Sequence, residues 1–293
     1  NNLKQLVSLC EDGYGEVELH IHHGKVKPDT PENFESTLLQ CIKEYSSFGI
    51  FGEEGGRKKY GFIHGDWALD NSRHNKFCGV DNEIEILQKT GCYADFTFPS
   101  PNTANPLKIN SIYYAQDNPS KPKSHNWGPD VAAKSRDKKG LMMVQGPIHP
   151  LFVDNKPWSF RIIGDALDCF TPTSKSRVDA WIRSDISVKD KDDLIVIKVH
   201  THGAEDADTV LGKKMQDIWG YLESQYNDGQ KYILHYVTAR ELYNIIKAVE
   251  NHEHMDDPEK FRNYRIKPPK YKSDVNIESA SDHLKSLVAK TYR

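Results

Sequence analysis

Residues 16–24 read EVELHIHHG, and they constrain the fold more than any other stretch, because an apolar strand there ends in three imidazoles. Successive side chains of an extended strand face opposite sides. Val17, Leu19 and Ile21 therefore share one face, Glu16, Glu18, His20 and His22 the other, and His23 stands where the strand runs out. Burying imidazoles and carboxylates is costly unless each polar group finds a partner, and a metal ion partners several at once. The stretch reads as part of a metal site. The competing reading is an edge strand whose polar face meets water, and the hydrophobic pattern alone fits both.

Helix and strand patterns alternate along the rest of the chain, which points to an α/β fold with a largely parallel sheet. Residues 1–10 already have helical rhythm, with Leu3, Leu6, Val7 and Cys10 as one stripe. Thr30 followed by Pro31 reads as an N-cap and first helical residue, and Phe34, Leu38, Cys41, Ile42 and Tyr45 form that helix's apolar stripe. A strand at 60–66 follows, then a helix that begins near Asp81, carries Ile84 and Leu87, and stops at Gly91. Another strand is expected at 93–98, ended by Pro99 and Pro101.

Residues 100–173, rich in Pro, Asn, Asp and Lys, read as a loop-rich insertion decorating one end of the sheet, with strand-like pieces at 140–146 and 159–163. Alternation then returns. A helix carries Val178, Trp181 and Ile182, and 193–200 (DLIVIKVH) is apolar enough to be a strand buried on both faces. A longer helix bears Val210, Leu211, Met215, Ile218, Trp219 and Leu222, and 232–237 (YILHYV) reads as a further strand. Thr238 with Glu241 forms a capping box opening a helix with Leu242, Ile245, Ile246 and Val249. The domain is expected to span 1–262, with 263–293 a Pro- and Lys-rich tail holding one amphipathic segment near 283–288.

The 39 basic and 42 acidic side chains give a formal net charge of −3, so no nucleic-acid or membrane footprint stands out. The run at 134–139 (KSRDKK) reads as solvated loop. The 14 Tyr and 5 Trp suit a sugar-binding surface and an ordinary core equally well. Five cysteines without a CxxC pair argue against a disulfide framework or a structural zinc knuckle. No apolar run approaches the roughly 18 residues of a membrane span. The chain opens without Met or a signal peptide, as a fragment or processed product would, and the expected location is cytoplasmic. Nothing in the sequence sets an oligomeric state.

Three strands share one design, an apolar body followed by imidazole or carboxylate at the carboxyl end: His20, His22 and His23; His64 and Asp66; His200 and His202. Active sites of parallel α/β folds collect at the carboxyl ends of strands. Imidazole nitrogen and carboxylate oxygen are the ligand set of zinc or a similar divalent ion, leaving other groups for acid and base roles. Each residue also has an ordinary reading as a hydrogen-bonded strand end. Asp66 and Asp70 flank Trp67 as acid–base groups or as turn residues, and Trp67 stacks on a sugar or simply packs. Arg240, at a helix start where a cation opposes the macrodipole, reaches a ligand or pairs with a carboxylate. His125, His149, His235, His252 and His254 have no supporting pattern.

At GYGEVELHIHHG (13–24), GFIHGDWALDNS (61–72), CGVDNEIEILQKTGCYADFTFPSP (78–101), VIKVHTHGAE (196–205) and LHYVTARELYNIIKA (234–248), the chain resembles the polysaccharide deacetylase superfamily. These are carbohydrate esterases with chitooligosaccharide-deacetylase homology, and the likeness is to a bacterial branch. The resemblance implies a distorted (β/α)7 barrel whose metal is held by one Asp and two His, with a second Asp as base and a late His as acid. By position His20 matches the first ligand histidine and His200 the late one. The usual second ligand position is Gly24 here, so His22 or His23 takes its place, and His64 joins the ligand set. The family's Asp pair from a preceding first strand has no counterpart, since only Asp12 lies upstream. The barrel is thus expected to lack that strand, with Asp66 substituting as a catalytic group and Trp67, Asp70, His202 and Arg240 meeting substrate.

Three functions follow from these residues. The first is a metal-dependent hydrolase, with zinc the expected divalent ion, removing an acyl group, acetyl foremost, from a carbohydrate. The second is another metal hydrolase, of amidohydrolase or phosphoesterase type, in which His20 and His22 form the HxH pair of a strand. The third is a non-catalytic glycan-binding barrel.

Overall fold

The computed structural model describes residues 2–100, 102–133, 139–152, 158, 160–164, 166–171, 173–191, 193–203 and 205–273. Helix α1 (Asn2–Glu11) buries Val7 and Cys10 and leads to β1 (Leu19–Ile21), whose Leu19 and Ile21 face inward while His20 faces out. Helix α2 (Pro31–Ser46) starts as expected, with the Thr30 hydroxyl accepting from Asn33 N at 3.3 Å, and buries Phe34, Leu38 and Cys41. It carries the chain back to β3 (Arg57–His64), parallel to β1. A short β2 (Gly52–Glu54) pairs antiparallel with β3. Helix α3 (Glu83–Thr90) ends where Gly91 takes φ +111°, and β4 (Cys92–Asp95) returns parallel to β3.

The sheet continues through β6 (Leu141–Gln145), parallel to β4, to β5 (Ser111–Ala115), antiparallel to β6. Its order is β1-β3-β4-β6-β5, with β2 beside β3. The register sets Ile21 beside His64, and Phe62 beside Asp95, so the parallel strands end at one rim.

Strand alternation divides the core. Phe62, Leu141, Met143 and Tyr113 face α1, α2 and α3, whereas Ala94, Met142, Val144, Ile112 and Tyr114 face α7 (Ala239–Glu250). The Thr238–Glu241 capping box is formed in both directions and contributes about 1 kcal/mol to α7. A third cluster joins α4 (Lys175–Arg183) to α6 (Lys213–Tyr226) through Val178, Trp181, Met215, Ile218 and Leu222. A hairpin of β7 (Ile148–Phe152) and β8 (Phe160–Gly164) stands outside the main sheet.

The result is a mixed α/β fold with a mainly parallel sheet, and the described strands do not close into a barrel. The segments expected to supply further strands are otherwise engaged. Residues 193–200 make a single bridge, His200 to Ala166. The reason is Lys198, a charge in the middle of the apolar run, whose Nζ donates to the carbonyls of Phe96 (2.8 Å), Phe98 and Val144 (2.8 Å). The segment therefore crosses over the ends of β4 and β6 instead of lying beside them. Residues 232–237 form no strand either: Asp228 and Asn227 side chains accept the main-chain N–H groups of Tyr232 and Leu234. The helix expected across 210–222 breaks at Gly212 into α5 (Ala207–Leu211) and α6.

The domain boundaries shift as well. Residues 100–173 are not only decoration, since they provide β5 and β6. Residues 263–272 belong to the body of the fold, with Ile266 fully buried and Lys267 bridged to Glu53. The expected segment near 283–288, most of the 134–139 run and Ser159 lie outside the described residues. No helix among the described residues is long and apolar enough to cross a membrane.

Candidate metal centre

Four side chains meet at the rim where β1 and β3 end: His23, His64, Cys78 and Glu83 each place one ligand-type atom within 4.8 Å of the others. His23 follows β1, His64 closes β3, Cys78 lies in the loop before α3, and Glu83 opens α3. His23 Nε2 lies 2.8 Å from His64 Nε2 and 3.2 Å from Glu83 Oε1, which is 3.3 Å from His64 Nε2.

The protons make this arrangement informative. His23 Nδ1 lies 2.8 Å from Asp29 Oδ2, and His64 Nδ1 lies 2.6 Å from the Gly65 carbonyl oxygen. Both partners are acceptors, so both Nδ1 atoms carry hydrogen and both Nε2 atoms turn inward. Two imidazole nitrogens and a carboxylate oxygen then face one another, close enough for a proton on His23 Nε2 or a cation to lie among them. One proton satisfies a single contact of that kind, whereas a cation satisfies all three.

The surroundings tune these groups. Burial favours neutral His64 and lowers its pKa. Burial also opposes charge on His23, but Glu83 and Asp29 together outweigh it and raise that ring's pKa. Burial likewise disfavours ionised Glu83, yet the two histidines hold its carboxyl below the usual range. Glu83 Oε2 accepts from Asp70 N at 2.6 Å and from the Cys78 thiol at 3.3 Å. Burial beside Glu83 pushes that thiol's pKa up strongly.

A second imidazole pair stands next to the first. His20 Nε2 and His22 Nε2 are 3.0 Å apart, with His20 Nδ1 3.0 Å from the Ile63 carbonyl and His22 Nδ1 2.8 Å from Asp66 Oδ2. The His22 side chain is 40% exposed, against 7% for His23. Burial, ahead of the neighbouring His22, lowers the His20 pKa. The loop between β3 and Cys78 is held in an uncommon shape, with left-handed backbone at Asp66, Trp67, Asp70 and Asn71. Such strain costs about 1–3 kcal/mol per residue and collects at functional sites.

The expected single cluster of His20, His22, His23 and His64 is therefore two pairs, divided because His22 and His23 leave the end of β1 in different directions. Asp66, expected as a catalytic group, engages His22 through Oδ2 instead. His200 and His202 do not join the inner cluster. They stand in the crossing segment, with their rings 5.7 Å apart and His202 edge-on to Trp67 at 5.7 Å.

Two expected substrate contacts are structural. Asp70 is fully buried, accepts from Ser124 N at 2.6 Å, and is pushed up to about 9 by burial and by Asp117. Arg240 is 2% exposed and pairs with Glu16 (2.6 Å) while donating to the Arg262 and Ile266 carbonyls.

Sequence reasoning missed Glu83, Cys78 and Asp29. Glu83 had a readable signal: it lies four residues before Leu87, on the apolar stripe of α3, where a carboxylate requires a buried partner. Asp29 precedes an N-cap and looks like a helix-start residue, which it also is, since its Oδ1 accepts from Thr30 N and Asn33 Nδ2. Cys78 carries no local pattern at all.

No family model, no curated protein and no solved structure matches this chain.

Proposed function

We propose that the chain is a metal-dependent hydrolase that removes an acyl group from a carbohydrate. The observation that supports it is the inward-facing Nε2 pair of His23 and His64 with Glu83 Oε1, backed by acceptors at both Nδ1 positions. His23, His64 and Glu83 would hold the cation, and Cys78, the fourth donor within reach, would have to give up its place for water or substrate to enter. Two imidazoles, a carboxylate and a thiolate are a zinc-type set, since the soft sulfur disfavours magnesium and calcium. A divalent ion bound there supplies a Lewis acid that polarises a carbonyl oxygen and acidifies water.

The chain's own groups supply the remainder. Asp29 and the Gly65 carbonyl fix the two ligand rings. His202, exposed beside Trp67, or His200 next to it would give a proton to a departing amine or alkoxide. The partly buried Trp67 offers an aromatic edge at the rim for a sugar ring. The glycan substrate and the barrel ancestry rest on the resemblance of the five sequence stretches. An HxH-type phosphoesterase is the second reading, favoured by the His20–His22 pair at the end of β1.

The test is metal analysis of the purified protein, then acetate release from acetylated amino sugars and phosphate release from an aryl phosphate, each with and without chelator. Chelator-sensitive acetate release supports the first reading, and chelator-sensitive phosphate release replaces it with the second. A protein that binds metal and glycan without turnover ends both.

A further inference from the structure

We propose that His20 and His22 form a second cation-binding site, separate from the inner cluster, so that the rim carries two ions side by side.

One design occurs twice. In the inner pair, one ring gives its Nδ1–H to a carboxylate (His23 to Asp29) and the other to a main-chain carbonyl (His64 to Gly65). In the outer pair, His22 gives its Nδ1–H to Asp66 and His20 to the Ile63 carbonyl. Each pair then turns two Nε2 atoms toward each other, at 2.8 Å and 3.0 Å. Two imidazoles bonded to one ion at about 2.0–2.1 Å have nitrogens about 2.9–3.4 Å apart for angles between square and tetrahedral. The outer pair, at 3.0 Å, falls within that range.

The placement is held by the backbone. A Cβ on Gly65 would lie 2.4 Å from the His22 ring, so only glycine lets that ring settle over the end of β3. Asp66, the carboxylate that orients His22, holds a left-handed conformation (φ +57°) to reach it. Metal-ligating histidines characteristically pass their other N–H to a carboxylate or carbonyl in this way.

The two sites differ in kind. The outer one has no thiol, is open to solvent, and leaves coordination positions for water or substrate, with His202 the next imidazole along the rim. It should bind zinc, cobalt or manganese more weakly than the inner site, and calcium hardly at all, since imidazole suits the transition ions. The alternative is a single proton shared between the two rings, with no ion. The proposal goes beyond the assigned chemistry and survives if the substrate proves different.

The experiment is Co2+ titration of the chelator-stripped full chain, followed by calorimetry and by the visible cobalt spectrum. Wild type should take up two equivalents, the first with thiolate-to-cobalt absorption from Cys78 and the second without it. His20→Gln and His22→Gln, at an exposed rim where folding is not at risk, should each lose the second equivalent and keep the first. Glu83→Gln should weaken the thiolate-bearing equivalent and spare the other. One equivalent in wild type, unchanged in His20→Gln and His22→Gln, would overturn the proposal in favour of the shared proton. One equivalent lost in those two variants and kept in Glu83→Gln would uphold the outer site and remove the inner one.

Discussion

Gly24 lies directly against the main chain of Cys78: a Cβ at position 24 would stand 2.1 Å from the Cys78 carbonyl oxygen. Gly24 also has φ +63°, and its carbonyl accepts from Phe77 N at 3.1 Å. This contact brings the loop carrying Cys78 and Glu83 to the end of β1. Gly24→Ala should therefore lose metal and at least about 2 kcal/mol of stability, since left-handed strain and a backbone clash add. Denaturant unfolding and metal content check it; unchanged values for both would show that the loop does not need the approach.

Asp29 should matter to metal affinity without touching the ion. Asp29→Asn keeps the helix-start contacts but weakens the grip on His23 Nδ1, and is expected to cost about 10–100-fold in affinity. Glu83→Gln, which removes a ligand charge, should cost more. Competition with a coloured chelator ranks the two, and the reverse order would displace Glu83 from the ligand set.

Arg240 predicts the opposite pattern. Its guanidinium is buried against Glu16, so Arg240→Ala leaves a carboxylate without its partner and should destabilise by about 3–5 kcal/mol. Metal content of the surviving folded protein should be unchanged, because Glu16 and Arg240 lie at the other end of β1. Loss of metal at full stability would return Arg240 to the functional site.

His125 gives a pH dependence from a ring outside the inner cluster. Its ring is fully buried, stacked on Phe98 with centroids 4.9 Å apart, and burial lowers its pKa to about 3. Its unfolded value is near 6.5, so between about 3 and 6.5 the unfolded chain binds the extra proton. Stability is then fully present above about pH 6.5 and declines as pH falls, by up to about 4–5 kcal/mol from this group. His125→Phe, which preserves the stack, should flatten that part of the curve in denaturant titrations at pH 4–8. An unaltered slope would show that other groups set acid stability.

The sequence exposed the parts of this architecture that local pattern controls. Thr30–Pro31, Gly91 and the Thr238–Glu241 box mark helix ends through chemistry confined to a few residues, and all three lie where expected. The rim position of His23 and His64 was legible too, because strand ends are. What escaped depends on contacts distant in sequence. The 193–200 run looks like a buried strand until Lys198 finds three carbonyls some 50 to 100 residues earlier. Arg240 looks like a ligand-facing cation until Glu16, 224 positions away, reaches it. Spacing already set His20 and His22 on one face with His23 apart, but the acceptors that orient each ring, Ile63, Asp66, Asp29 and Gly65, lie outside the strand and were not legible from it.

All four inner donors come from one uninterrupted piece of chain, positions 23 to 83, whereas the His200–His202 segment reaches the rim from a remote part of the polypeptide. On the proposed function, ion holding and substrate choice would be written in different passages of the gene. Changes in the later passage would then retune what the rim accepts while the ion's cradle stays as it is.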